Sequence, residues 1–113
     1  MKIIKDEKIT LKELTKMSEK MFDGIVKAVV DIEREIMVVD AAMHADQEKL
    51  LLDDGSSQNN LWGINFHPND GEEFIEFDSM INIRPSWGNR TRGVDSPEIQ
   101  KKIKEVVSKL VAQ

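Results

Sequence analysis

Three of the four arginines in this chain, Arg84, Arg90 and Arg92, fall within one short segment, MINIRPSWGNRTRGVDSPEI, that offers no carboxylate before Asp95. Residues 84–94 carry three positive charges and no negative one, so the rest of a chain with net charge -5 must sum to -8. A guanidinium is a planar fork of donors that matches the oxygens of a phosphate or carboxylate, and three on one loop could close around an anion. Asn82 and Asn89 would add neutral hydrogen bonds, and His44, Asp78 or Glu76 could carry a proton to or from a bound molecule. The competing reading is structural: each arginine pairs with Asp78, Asp95 or a helix glutamate and stiffens the loop.

Other chemistries find less support. His44 and His67 are the only histidines, and there is no cysteine. His44 with Glu48 makes one i, i+4 pair, which is half of a metal site at most, so no metal is expected. No Gly-rich phosphate loop with its lysine, no dinucleotide fingerprint and no nucleophile elbow occurs, so no cofactor is expected either. Trp87 among the arginines suits stacking on a ring or base, and equally suits packing against the last helix.

These side chains must be positioned by a fold, and its pieces are legible. Thr10 with Glu13 forms a capping-box pattern, and Leu11, Leu14, Met17 or Ser18, and Met21 then recur at helical spacing until Asp23-Gly24. The β-branched runs GIVKAVVDIE and EIMVVDAAM on either side of Glu33 and Arg34 predict a hairpin. HADQEKLLLDD predicts a short helix capped near Asp46 and stopped by Gly55. LWGINFH, the turn chemistry of PNDG, and EEFIEFDSMINIR predict a second hairpin whose last strand is long. Ser96-Pro97 starts a final helix with the apolar stripe Ile99, Ile103, Val106 and Leu110, flanked by Val107. The sum is an α+β domain over residues 1–113: an antiparallel sheet of about four strands in two hairpins, with three helices mainly on one face.

Alternation along Phe74 to Arg84 places Ile75, Phe77, Ile81 and Ile83 on a core face, with Ser79 among them. The other face then carries Phe74, Glu76, Asp78, Met80, Asn82 and Arg84, beside Gly63, Asn65 and His67 of the paired strand. Such a row is either a binding surface or the solvated face of a one-sided antiparallel sheet.

Composition narrows the classes. With 40% hydrophobic and 33% charged residues the chain reads as a soluble globular domain. MKIIKDEKIT has no apolar core of signal-peptide length and no run approaches a membrane span, so a cytoplasmic location and no membrane partner are expected. The Asn89-Arg90-Thr91 sequon then has no glycosylation role. The net negative charge disfavours broad nucleic-acid binding, and single-stranded RNA on Trp87 and the arginines is the weakest of the binding readings.

VKAVVDIEREIMVV, HAD, LWGIN and EFDSMINIRPSWGNRTRGVDSPEI together resemble a family of short, uncharacterised bacterial and archaeal proteins, over the chain from about Gly24 to the terminal helix. NIRPSWGNRTRGVD is the most specific part. The resemblance implies a compact stand-alone domain and brings no activity, cofactor or site residue. Two expectations remain. One is a binding module that holds an anionic small molecule, such as a nucleotide or phosphorylated metabolite, through Arg84, Arg90, Arg92, Asn82, Asn89, Asp78 and His44. The other is a homo-oligomeric interaction module in which the arginine loop makes structural salt bridges or meets a partner.

Overall fold

Thr10 and Glu13 cap the first helix as their spacing predicts. The Thr10 hydroxyl accepts the Glu13 N–H at 3.1 Å, and the Glu13 carboxylate accepts the Thr10 N–H at 3.4 Å. In this computed structural model, which describes residues 1–21, 23–71 and 73–112, the elements run β1 (Lys2–Ile4), β2 (Ile9–Thr10), α1 (Leu11–Glu19), β3 (Val26–Asp31), β4 (Ile36–Val39), α2 (His44–Asp53), β5 (Leu61–Phe66), β6 (Ile75–Glu76), α3 (Pro97–Leu110) and β7 (Val111–Ala112). Ser96 accepts the Ile99 N–H and Pro97 fills the first turn of α3, as expected. Helix α1 ends earlier than its apolar spacing suggests, so Met21 lies beyond it.

The main sheet is antiparallel with order β1-β4-β3-β5-β6, and β2 and β7 form a separate two-stranded parallel ladder. The expected hairpin is β3–β4. Its turn is held by Asp31, whose Oδ1 accepts the N–H groups of Glu33 and Arg34 at 2.9 Å. One more main-sheet strand than expected is present, because β1 pairs with the outer edge of β4.

Both faces of the sheet are covered. On one side Val26, Ala28, Val30, Met37, Val39, Ile64 and Phe66 pack with Leu14 of α1 and with Ile103, Val106, Val107 and Leu110 of α3. Each of those four α3 side chains contributes about 1.5–3 kcal/mol by leaving water. On the other side Val29, Ile36, Val38 and Leu61 pack with Leu51 of α2. Two helices therefore share one face and the third takes the other, so the solvated face of a one-sided sheet does not form. The apolar runs Ala28–Val30 of β3 and Ile36–Val39 of β4 are the pattern that burial on both faces requires.

The long strand expected from Phe74 to Arg84 is the main departure. Only Ile75–Glu76 pairs with β5; Met80–Asn82 and Pro85–Trp87 then form 3₁₀ turns, and Gly88 adopts a left-handed conformation. The alternation breaks accordingly. Ile75 and Phe77 pack on the α1/α3 side, Ile81 packs on the α2 side, and Ile83 is exposed. Gly63 admits this path, because a Cβ there would lie 2.5 Å from both Cβ and Oγ of Ser79.

Side chains take the place of the missing strand along the free edge of β5. The Asn82 amide accepts the Gly63 N–H at 2.8 Å and donates to the Gly63 carbonyl at 2.9 Å, pairing as a neighbouring peptide would. One residue pair further along, Arg84 donates to the Leu61 carbonyl. The edge is sealed without a ladder, which satisfies buried backbone groups that would otherwise be orphaned.

Candidate functional site

The arginines do not converge. Arg84 is buried, with Nε donating to the Ile81 carbonyl at 3.0 Å, one terminal nitrogen to Gln58 at 2.9 Å and the other to Leu61. Its guanidinium lies 4.7 Å from the Trp62 ring centroid and 5.6 Å from that of Trp87. Burial lowers its pKa, with Glu48 opposing, and a guanidinium still keeps its charge. Arg84 is therefore spent on the chain itself. Arg90 is exposed and acts through its backbone, whose N–H donates to Asp95 at 2.8 Å. Arg92 alone reaches a cleft.

Asn82 and Asn89, expected to face a ligand, are instead buried fasteners. Besides its pair with Gly63, Asn82 donates to the Arg92 carbonyl at 3.0 Å. Asn89 donates to the carbonyls of Asn82, Thr91 and Gly93 and accepts the Asp95 N–H at 2.7 Å. Together they bind the 79–95 loop into one body.

What the fold does assemble is a cleft of about 470 Å³ between the N-terminus of α2, the ends of β3 and β5, and the segment after β6. Cross-strand pairing puts Lys27, Asn65 and Glu76 side by side on the α2 face, through the pairs Lys27↔Asn65 and Asn65↔Glu76. The sequence alternation of Asn65, His67 and Glu76 on one side is thus realised. His67 Nε2 lies 3.2 Å from Glu76, and the Asn65 amide donates to Glu76 at 2.9 Å and to the Asp78 carbonyl at 3.3 Å. Asn65 chiefly, and His67 next, hold the Glu76 carboxyl below its ordinary pKa. The other side of the Asn65 amide is bare: Oδ1 is buried and has no hydrogen-bond partner. Leaving such an acceptor unpaired costs about 1–3 kcal/mol.

On the opposite wall, His44 donates from Nε2 to the Ile64 carbonyl at 2.7 Å. Because the partner is an acceptor, Nε2 carries the hydrogen and Nδ1 is left as the acceptor of the neutral ring. Burial lowers the His44 pKa, the Ile64 carbonyl partly offsets this, and among the nearby charges Lys27 and Arg92 push it down while Asp78 pushes it up. The imidazole is neutral at pH 7. His44 also opens α2, a helix whose N-cap is Met43 and which has no side-chain cap; the expected cap near Asp46 is not used. The first N–H groups of α2 therefore end at the cleft wall with no side-chain cap.

Arg92 is set at the mouth. Its Nε donates to Asp78 Oδ1 at 2.7 Å, and both groups are substantially exposed, so the pair orients more than it stabilises. A guanidinium held by Nε retains its two terminal nitrogens as donors. Of the residues the sequence singles out, the cleft collects His44, Asp78, Glu76 and Arg92; Arg84, Asn82 and Asn89 support it from behind. Lys27 and the α2 terminus were missed. A lysine interrupting the apolar run VKAVVD, in phase with Asn65, was the available signal for the first.

Among the described residues no group of three or more His, Cys, Asp or Glu could hold a metal ion, and no helix is long and apolar enough to cross a membrane. A family model described as "Protein of unknown function (DUF5674)" matches residues 2–110, which extends the resemblance to the N-terminal strand. No curated protein and no solved structure matches the chain.

Proposed function

We propose that the chain, which belongs to this DUF5674 family of unknown function, is a binding module that holds a small molecule by an anionic group in the cleft beside α2. The observation that carries the reading is the meeting, at one cleft, of the uncapped start of α2 with Arg92 and Lys27. The helix terminus supplies oriented N–H groups and a partial positive charge, and the two cations supply the rest. A phosphate or carboxylate seated there lies beside neutral His44, whose Nδ1 can accept a hydrogen bond or a proton.

A thermal-shift panel of inorganic phosphate, sulfate, phosphate esters, nucleotides and carboxylates tests this. At least one should raise the melting temperature of the wild type and lose that effect in Arg92→Ala and Lys27→Ala. Equal shifts in wild type and both variants, or none anywhere, would remove the proposal.

A second reading has its own support. Met80, Ile83 and Trp87 are exposed to 64%, 37% and 55% along one short segment next to Arg90. Apolar side chains grouped in this way, with an arginine at the edge, suit a contact between copies of the chain. Light scattering over a range of concentrations distinguishes the readings: a monomer throughout removes the second, and a dimer lost in Trp87→Ala with Met80→Ser supports it.

A further inference from the structure

We propose that the ligand of this cleft is an amino-acid-like zwitterion with an apolar side chain, its ammonium group held by Glu76 and by Asn65 Oδ1. The inference deepens the anion-binding reading of the same cleft and rests on it. Charge balance is the first support. Asp23, Glu76 and Asp78 line the cleft against Lys27 and Arg92, three negative charges to two positive. His44 adds none. A nucleotide or other multiply charged anion would meet a lining that is already net negative, whereas a molecule carrying both signs matches it.

The second support is the unpaired acceptor. Asn65 is 5% exposed and its Oδ1 has no partner, while its Nδ2 is committed to Glu76 and to the Asp78 carbonyl. Reversing the amide would set its oxygen against two acceptors, so the orientation is fixed by chemistry. Oδ1 is enclosed by its neighbours, so a donor from the cleft reaches it only where they shift, and an anion has no donor to give. Glu76 stands next to it with a carboxylate that takes up a cation. The acidic end and the uncapped start of α2 thus belong to one cleft with opposite demands.

The third support is the apolar lining. Met43 and Met80 are both largely exposed at the rim, with Ile25 and Ile81 also in the wall. Methionine is unbranched and adapts to differently shaped apolar groups, which suits a site that takes a range of side chains.

Isothermal titration of the full chain tests the idea, with L-leucine, L-phenylalanine and leucyl-glycine as zwitterions. N-acetyl-L-leucine, which keeps only the anion, and L-leucinamide, which keeps only the cation, serve as comparisons, beside inorganic phosphate. A zwitterion should bind at least tenfold more tightly than both of its singly charged derivatives, and Glu76→Gln should abolish its advantage over N-acetyl-L-leucine. If N-acetyl-L-leucine or phosphate binds as tightly as every zwitterion, the inference is overturned and the anion-binding reading survives. If L-leucinamide binds as tightly as the zwitterions, both fall; if nothing binds, the inference falls and the anion-binding reading is decided by the thermal-shift panel. The comparison between ligands is made on the wild type and does not depend on any variant folding.

Discussion

Replacing Asn82 by alanine should cost far more than a loop substitution usually does. The side chain is fully buried and makes three hydrogen bonds, at 2.8 Å from the Gly63 N–H, 2.9 Å to the Gly63 carbonyl and 3.0 Å to the Arg92 carbonyl. Each bond is worth about 1 kcal/mol net, and a buried group left stranded costs about 1–3 kcal/mol, so Asn82→Ala should lose roughly 3–5 kcal/mol. That is a third or more of the stability of a domain near the middle of the usual range, about 5–15 kcal/mol. In urea, with a slope of about 1.5 kcal/mol/M, the midpoint should fall by roughly 2 M or more. Hydrogen exchange supplies a local readout, since the Gly63 amide is bonded to Asn82 and should lose its protection in the variant. Asn82→Asp sharpens the argument: it keeps the shape and the acceptor for Gly63 but sets a carboxylate oxygen against two carbonyls. Its deficit should therefore shrink as the pH falls from 7 to 5 and the new carboxyl protonates. A midpoint shift below about 0.5 M for Asn82→Ala, with Gly63 still protected, would refute the idea that this amide substitutes for a strand.

Two further outcomes follow from the same architecture. Gly63→Ala forces a Cβ to within 2.5 Å of Ser79 and should cost about 1–3 kcal/mol by overpacking, with Ser79→Gly restoring part of the loss in the double variant; chemical denaturation of the four proteins checks it. His44 has a folded-state pKa below its usual 6.5 because it is buried, so the unfolded chain takes up the proton first and stability is lost as the pH falls below about 6.5. Melting temperatures between pH 7.5 and 5.5 should decline less steeply in His44→Gln, whose amide can still donate to Ile64.

The sequence announced most of the secondary structure because those signals are local. Thr10 with Glu13 and Ser96 with Pro97 each fix a helix start from within one turn, and VKAVVD and IMVV leave little alternative to strands. What could not be read was non-local. IEFDSMINIR alternates as well as any strand, and it bends away because Gly63, on a different element, leaves space for Ser79 and Ile81 to cross the sheet. Likewise Asn82 and Arg84 carry the chemistry of ligand-binding residues, and only the free edge of β5 shows that their donors are consumed by backbone. Arg92 and His44 survive as cleft residues, the first because Asp78 takes only its Nε, the second because α2 begins at the cleft. The parallel ladder of β2 and β7 had no readable signal, since two-residue strands are too short to show a period.

The stacking of Arg84 between two indoles also determines what light reports about this molecule. Trp62 and Trp87 are its only tryptophans, one nearly enclosed and the other more than half open to solvent, and both rings border the same guanidinium. Intrinsic emission therefore comes wholly from the junction that pins the arginine segment to the sheet margin. An emission change that precedes the loss of circular dichroism would time the release of that segment, on an optical channel the rest of the protein leaves silent.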